Sequence, residues 1–328
     1  MAENTRYTAY ILTDKKKYNV TNAIVSLSTS EEEKQIAMSV NLGLVDVDVD
    51  GEKLSDIIKL RHRVILTASD GEKTEEVYQG YVWSTSPKES LTDDELSIGS
   101  YDQLIYWQES EDAVFFPAGE YTTQIFKTIC EKLGIKYIYE YGSISHGNLL
   151  LRGAIADFLT ADLLDTVKTR VGKGYVIRSE KDSVAVRYTG SNKTVYAINE
   201  KQNAIELRRY KSLNGVVTKA VVISISDDDK TSVEASASNN TAEYGTLQKI
   251  VLKDDSTTLG ESLKEAENIV KEKGNPQWEY DIKAVDIPWI RKGDSVDVNI
   301  GTLKGRFIVK SISREISNRG NVMTLTVA

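Results

Sequence analysis

Three aspartates alternate with valine in Asp46-Val47-Asp48-Val49-Asp50-Gly51, which has the form of the opening of a calcium loop. Such a loop needs a bidentate glutamate at its twelfth position, and here that position is Ile57. Strict valine/aspartate alternation is also the pattern of a half-buried strand, and strand is the preferred reading. Cation binding by Asp46, Asp48 and Asp50 stays open. The two histidines, His62 and His146, have no His or Cys neighbour at ligand spacing. A Ser-His-Asp device can be drawn from distant positions. However, Gly142-Ser143-Ile144-Ser145-His146-Gly147 lacks the Gly-x-Ser-x-Gly elbow and reads as a loop. Cys130, beside Ile129, reads as a small buried hydrophobe. Gly172-Lys173-Gly174 lacks the spacing and the Lys-Ser/Thr ending of a phosphate loop. Glu109, Glu111 and Asp112 form an acidic cluster of the residue type a glycosidase pair uses, but nothing fixes their separation, and a solvated acidic loop is the preferred reading. Tyr137, Tyr139 and Tyr141 alternate, as a sugar platform or as ordinary packing on one strand face. No catalytic, cofactor-binding or metal residue is assigned, and no cofactor is expected.

The elements that position these residues are mostly strands. With 328 residues the chain is too long for one ordinary domain. It carries 41 basic and 49 acidic residues, a net charge of −8, which argues against a phosphate-backbone binder and against nucleic-acid sequence readout. One cysteine excludes an intrachain disulfide. The N-terminus has no apolar signal region, and no apolar run is long enough for a membrane span. Synthesis and folding in the cytoplasm, without secretion by a signal peptide, are expected.

Residues 1–107 read as a β-barrel. Short alternating strands near 7–12, 20–28, 36–42, 64–68, 77–83 and 95–101 are separated by turns such as Ser69-Asp70-Gly71, with one helical turn at Leu54–Leu60. Residues 108–205 read as a small α/β unit. Tyr121, Ile125, Ile129 and Leu133 mark one helix, and a second is expected over about 160–171, capped by Thr160 and ended by Gly172. The hairpin Tyr175–Tyr188 follows. Residues 206–328 read as a second β-barrel with one helix. A long strand at Gly215–Ser224 turns at Ser226–Lys230, Thr258-Leu259-Gly260-Glu261 forms a capping box, and Ser295–Thr326 closes the chain as an antiparallel meander. The fold class is therefore α+β and β-rich. A weak internal repeat pairs Arg63–Leu66 and Gln79–Trp83 with Ser295–Val298 and Lys304–Ile308. The preceding turns, Arg61-His62-Arg63 and Lys292-Gly293-Asp294, differ in chemistry.

Val77-Tyr78-Gln79-Gly80-Tyr81-Val82, Gly99-Ser100-Tyr101-Asp102-Gln103-Leu104, Glu243-Tyr244-Gly245-Thr246-Leu247-Gln248, Gly293-Asp294-Ser295-Val296 and Met323-Thr324-Leu325-Thr326 together resemble the PBSX-type prophage hub family. That family is similar to the T-even phage baseplate hub. Each motif is short, but their order covers nearly the whole chain. The resemblance implies two tube-like β-barrel domains flanking the small α/β domain. It also implies a homotrimer whose six barrels match a six-fold tail tube to a three-fold central spike. Implied partners are the tail tube or its terminal protein, the spike and baseplate wedge proteins. Implied surroundings are a contractile phage tail, a prophage particle or an R-type bacteriocin. A tail-associated cell-wall hydrolase component and a glycan or cell-surface binding module are the alternatives.

Overall fold

The computed structural model describes residues 5–89, 94–225, 231–253, 258–317 and 320–328. They form two compact units, one of residues 1–208 with 280–328, the other of residues 209–279.

The first barrel contains β1 (Arg6–Leu12), β2 (Lys17–Asn19), β3 (Ile24–Glu31), β4 (Ser39–Val45), the two-residue strands β5 (Asp48–Val49) and β6 (Glu52–Lys53), the single turn α1 (Leu54–Ile57), β7 (Arg63–Ser69), β8 (Thr74–Lys88) and β9 (Glu95–Tyr101). Its main strands pair in the order β3-β4-β9-β8-β7-β1. Alternation puts Ala9, Ile11, Val40, Leu42, Leu44, Val64, Leu66, Leu96 and Ile98 into one core. Gly80 is demanded by a close approach. The Tyr78 ring crosses it to bond Ser100 Oγ at 2.7 Å, and a Cβ there would strike the Tyr78 hydroxyl and the Tyr101 carbonyl. That is the physical content of the Tyr-x-Gly-x-Val pattern.

The middle domain follows with α2 (Ile105–Gln108), β10 (Glu111–Phe116), α3 (Thr122–Lys132), β11 (Lys136–Glu140) and β12 (Leu149–Ala154). Next come α4 (Ile155–Asp157), a π-helical stretch at Phe158–Leu164, α5 (Asp165–Val171), β13 (Tyr175–Glu180) and β14 (Ser183–Tyr188). The helix expected at 160–171 thus begins at Ile155. Thr160 does not cap it: its hydroxyl donates to the Ala156 carbonyl at 2.9 Å, the usual use of a hydroxyl inside a helix. Gly172 ends the helix in the left-handed region, at φ 70°. The core of this domain centres on Trp107 and Phe126, edge to face at 5.7 Å.

The second barrel opens with β15 (Tyr196–Asn199) and β16 (Ala204–Lys211). Residues 209–279 then form the second unit: β17 (Lys219–Ile225), β18 (Thr231–Ser238), α6 (Thr241–Tyr244), β19 (Gln248–Leu252) and α7 (Leu259–Lys273). Its sheet runs β18-β17-β19, and α7 lays Ala266 and Val270 against Ala220, Val222 and Val251. The capping box is present, with Thr258 Oγ accepting from the Glu261 amide and the Glu261 carboxylate from the Thr258 amide. Thr218 Oγ binds the Gly245 carbonyl and the Leu247 amide, which explains the Tyr-Gly-x-Leu-Gln element. The expected strand at Gly215 starts later, at Lys219, because Gly215 takes φ 77° in a turn. The turn read at Ser226–Lys230 lies outside the described residues.

The chain ends with β20 (Trp278–Val285), β21 (Ser295–Ile300), β22 (Leu303–Ser317) and β23 (Gly320–Val327). The second barrel pairs as β16-β20-β23-β22-β21-β15, the same order as β3-β4-β9-β8-β7-β1. One difference is that β15 runs parallel to β21 whereas β1 runs antiparallel to β7. Both long strands carry one extra residue at the same place, Trp83 against β9 and Lys310 against β23. Val82 therefore corresponds to Val309, and Arg63 to Ser295. The repeat is real, but its return strand is displaced by two residues from the alignment expected from sequence: Gly80 corresponds to Phe307, not to Gly305. A two-residue slip keeps every side chain on its face, so alternation cannot detect it. The differing turns also become equivalent. Arg61 (φ 68°) and Gly293 (φ 87°) both adopt the left-handed conformation. Their amides donate to the Val82 and Val309 carbonyls at 2.8 Å, and those valine amides donate back to the carbonyls of His62 and Asp294.

Candidate functional site: the joint between the barrels

The residues singled out for chemistry do not converge. Asp46 holds the first turn of α1 from outside it, accepting from the Ser55 amide and hydroxyl at 2.9 and 2.6 Å. Asp48 accepts from the Gly51 amide, Asp50 pairs with Lys16, and Ile57 is buried. Among the described residues no group of three or more metal-binding side chains forms. His62 Nδ1 accepts from the Lys59 amide. His146 Nε2 lies 2.8 Å from the Thr122 hydroxyl, and burial together with Arg170 lowers its pKa to about 4, so the ring is neutral at pH 7. Burial pushes the Cys130 thiol up to about 12, which removes it as a nucleophile. Asp112 is held by Lys132 at 2.5 Å. Lys173 follows the helix-ending Gly172. Tyr137 and Tyr139 pack on Phe126 at 5.7 and 5.2 Å, and Tyr141 is buried between Tyr175 and Tyr188. The three tyrosines thus pack with the domain's own rings and form no open platform.

The dense polar chemistry lies elsewhere, in the segment 286–294 that links β20 to β21. It starts where β22 runs antiparallel to β3 and makes one sheet of the two barrels, with Ile312 opposite Glu31 and Ile316 opposite Leu27. Arg291 reaches across and grips Glu31 with two bonds, 2.6 and 3.1 Å. Burial alone would raise the Glu31 carboxyl, but Arg291 and then Lys292 hold it below the usual carboxylate range. Lys292 Nζ donates to the carbonyls of Glu32 and Gln35 at 2.9 and 2.5 Å, and burial lowers its pKa. Asp286 accepts from the Tyr7 hydroxyl at 2.5 Å and from Arg314 Nε at 3.0 Å. Arg314 also donates to the Ile287 and Ile290 carbonyls. Trp289 Nε1 donates to Asp70 at 3.1 Å, with Lys73 Nζ 4.0 Å above its ring. Asp294 accepts from Arg178 Nη1 at 2.7 Å, which ties in the middle domain.

Beside Arg291 lies a cavity of about 180 Å³, lined among others by Glu76, Tyr78, Asp102, Ser179 and Glu180. Asp102 accepts from the Met38 and Leu104 amides at 3.1 and 2.9 Å. It is thus the turn-maker of the Ser-Tyr-Asp-x-Leu exit from the first barrel. Burial still raises it to about 7. This arrangement fastens three bodies together. Its carboxylates Glu31, Asp102, Glu180, Asp286 and Asp294 are all bound to guanidinium groups or to backbone amides. Sequence reading named the Gly-Asp turn and Asp102 only as parts of motifs. The partners of the other charges lie up to 279 residues away, and no local pattern marks them.

The family model described as YQBQ-like matches residues 27–328 of this chain. The chain belongs to the YQBQ-like family. The resemblance to the PBSX-type prophage hub family is borne out by this match. Among solved structures, the 43 kDa tail protein of prophage MuSo2 from Shewanella oneidensis superposes with a TM-score of 0.71 at 14% identity, over 98% of each chain. The tail protein from Neisseria meningitidis MC58 gives 0.70 at 13%, covering 98% of this chain and 96% of that one. The E. coli c3393 protein, a type VI secretion component described as similar to T4 tail proteins gp27 and gp5, gives 0.57 at 7%, covering 93% and 73%. At such identities the likeness is one of fold. No curated protein matches the chain.

Proposed function

We propose that this chain is a structural baseplate hub of a contractile phage tail or phage-tail-like particle, a platform between tail tube and central spike. The carrying observation is the repetition of one six-strand order in two barrels of a single chain, fused through β22 and β3. A chain with two equivalent barrels presents six in a three-fold ring, and so meets a six-fold partner on one face and a three-fold partner on the other. The buried ionic joint supports a load-transmitting part, because it locks both barrels and the middle domain to one short segment. The fold shared with tail proteins and with a type VI secretion component points the same way. His62, His146 and Asp112 are engaged in structural bonds and Cys130 is buried, which favours a non-enzymatic role. In this reading the R-type bacteriocin is one possible particle, the wedge proteins are neighbours, and the assembled protein resides in the baseplate.

Light scattering on the purified protein tests the assembly. A mass near three times 36.6 kDa is expected. Co-sedimentation with the tube and spike proteins of the same particle is the second measurement. A protein that stays monomeric and binds neither of them contradicts the reading.

A further inference from the structure

The covered joint between the barrels has an uncovered counterpart. In the repeat, β8 corresponds to β22 and β16 to β3. From the shared extra residue onward, Ser84–Lys88 of β8 match Ser311–Glu315 of β22. β22 is flanked there by β3, and Ile312 and Arg314 are 1% and 3% exposed. Their counterparts Thr85 and Pro87 are exposed, as is every residue from Trp83 to Lys88, and among the described residues this stretch pairs with β9 alone. β3 is likewise flanked on both sides and buries Leu27, Thr29 and Glu31. Its counterpart β16 ends the sheet, with no strand on its outer edge among the described residues. One chain thus carries both halves of a joint it has already made once, and cannot close the second by itself.

We propose that the Ser84–Lys88 edge of one copy pairs antiparallel with the C-terminal half of β16 in a second copy, repeating the β22–β3 joint. This rests on the assembly reading above and names its contact surface. The occupant is a second copy because the complement of each free edge is the other free edge of the same chain. The contact is head-to-tail, so each addition leaves two free edges until a ring closes. Pro87 limits the ladder, since it offers an acceptor and no donor, and this discourages indiscriminate strand addition.

Trp83 is the anchor of this contact. It occupies the place of Lys310, which in the covered joint pairs with Glu33 at 2.7 Å. Trp83 has no charge and packs edge-on against Tyr106 and Tyr101, at 5.6 and 6.3 Å, while 36% of it stays exposed. The joint between copies therefore exchanges an ion pair for an aromatic contact.

Two single variants, Lys88→Cys and Arg208→Cys, are mixed and treated with a short bismaleimide; native Cys130 is buried. Cross-linked species are expected in the mixture and not in either variant alone. Equal cross-linking within one variant means a two-fold contact and overturns the proposal. No cross-link in a mixture that light scattering shows to be associated overturns the proposal and leaves the assembly reading standing. A monomer under all conditions removes both. Trp83→Ala is expected to weaken association roughly tenfold or more, read by sedimentation of the folded protein. Unaltered association would overturn the role of Trp83.

Discussion

The segments that cross each barrel, 46–62 between β4 and β7 and 286–294 between β20 and β21, occupy equivalent places and are built in opposite ways. In the first, polar groups bond within their own barrel: Asp46 to Ser55, Asp48 to Gly51, His62 to Lys59, Asp50 to Lys16 and Lys53 to Asp94. Its apolar residues Leu54 and Ile58 fill the barrel's own core. In the second, nearly every charge is spent on a distant element, from Tyr7 through Glu31 to Arg178. Two barrels with one topology thus differ in whether the crossing segment serves its own barrel or binds several bodies together. Ion pairs suit the second task because burial makes each partner dependent on the other.

Removing one partner of a buried pair should have the largest effect. Arg291→Met leaves the Glu31 carboxylate, whose side chain is 3% exposed, without its countercharge, and about 3–5 kcal/mol of stability should be lost in urea unfolding. A loss below about 1 kcal/mol would mean that the joint does not hold the barrels. The pH response comes next. The Asp102 pKa is raised on folding from 3.8 to about 7, so the native state binds the extra proton between those values. Its contribution to stability must therefore fall as pH rises through that window. His146, lowered from 6.5 to about 4, acts in the opposite sense, adding stability as pH rises across its own window. Thermal melts of Asp102→Asn should lack the falling component, leaving the variant relatively better off at pH 8 than at pH 5. In the self-contained crossing, Asp46→Ala should cost about 1–2 kcal/mol through the two lost bonds with Ser55, without disturbing Trp289 fluorescence. A spectral change at Trp289 would erase the contrast between the segments. Smallest is Thr258→Ala, which removes a capping box outside both crossings, at about 1 kcal/mol. Hydrogen exchange should show the loss within α7.

Much of the local architecture was legible. Thr258-x-x-Glu261 names a helix start because both bonds form within one turn. Gly172 names a helix end through its left-handed backbone, and Ser69-Asp70-Gly71 names the β7–β8 hairpin. The Thr160 cap failed because a threonine inside a helix and one at its start look alike until the chain's path is known. The joint was legible only as two fragments, the Gly-Asp turn and the Asp102 exit.

Sequence by itself determined the periodicities, turns and caps, and through them a β-rich chain with a repeated hairpin. These depend on residues within a few positions of one another, so each segment carries its own instructions. Tertiary structure alone decided that β22 lies against β3, that Arg61 and Gly293 make the same turn, that the repeat is offset by two, and that Arg291 finds Glu31 at a separation of 260 residues. Strand alternation is blind to even slips, and a charge does not announce a distant partner. Only packing, which makes an unpaired buried charge untenable, selects one arrangement.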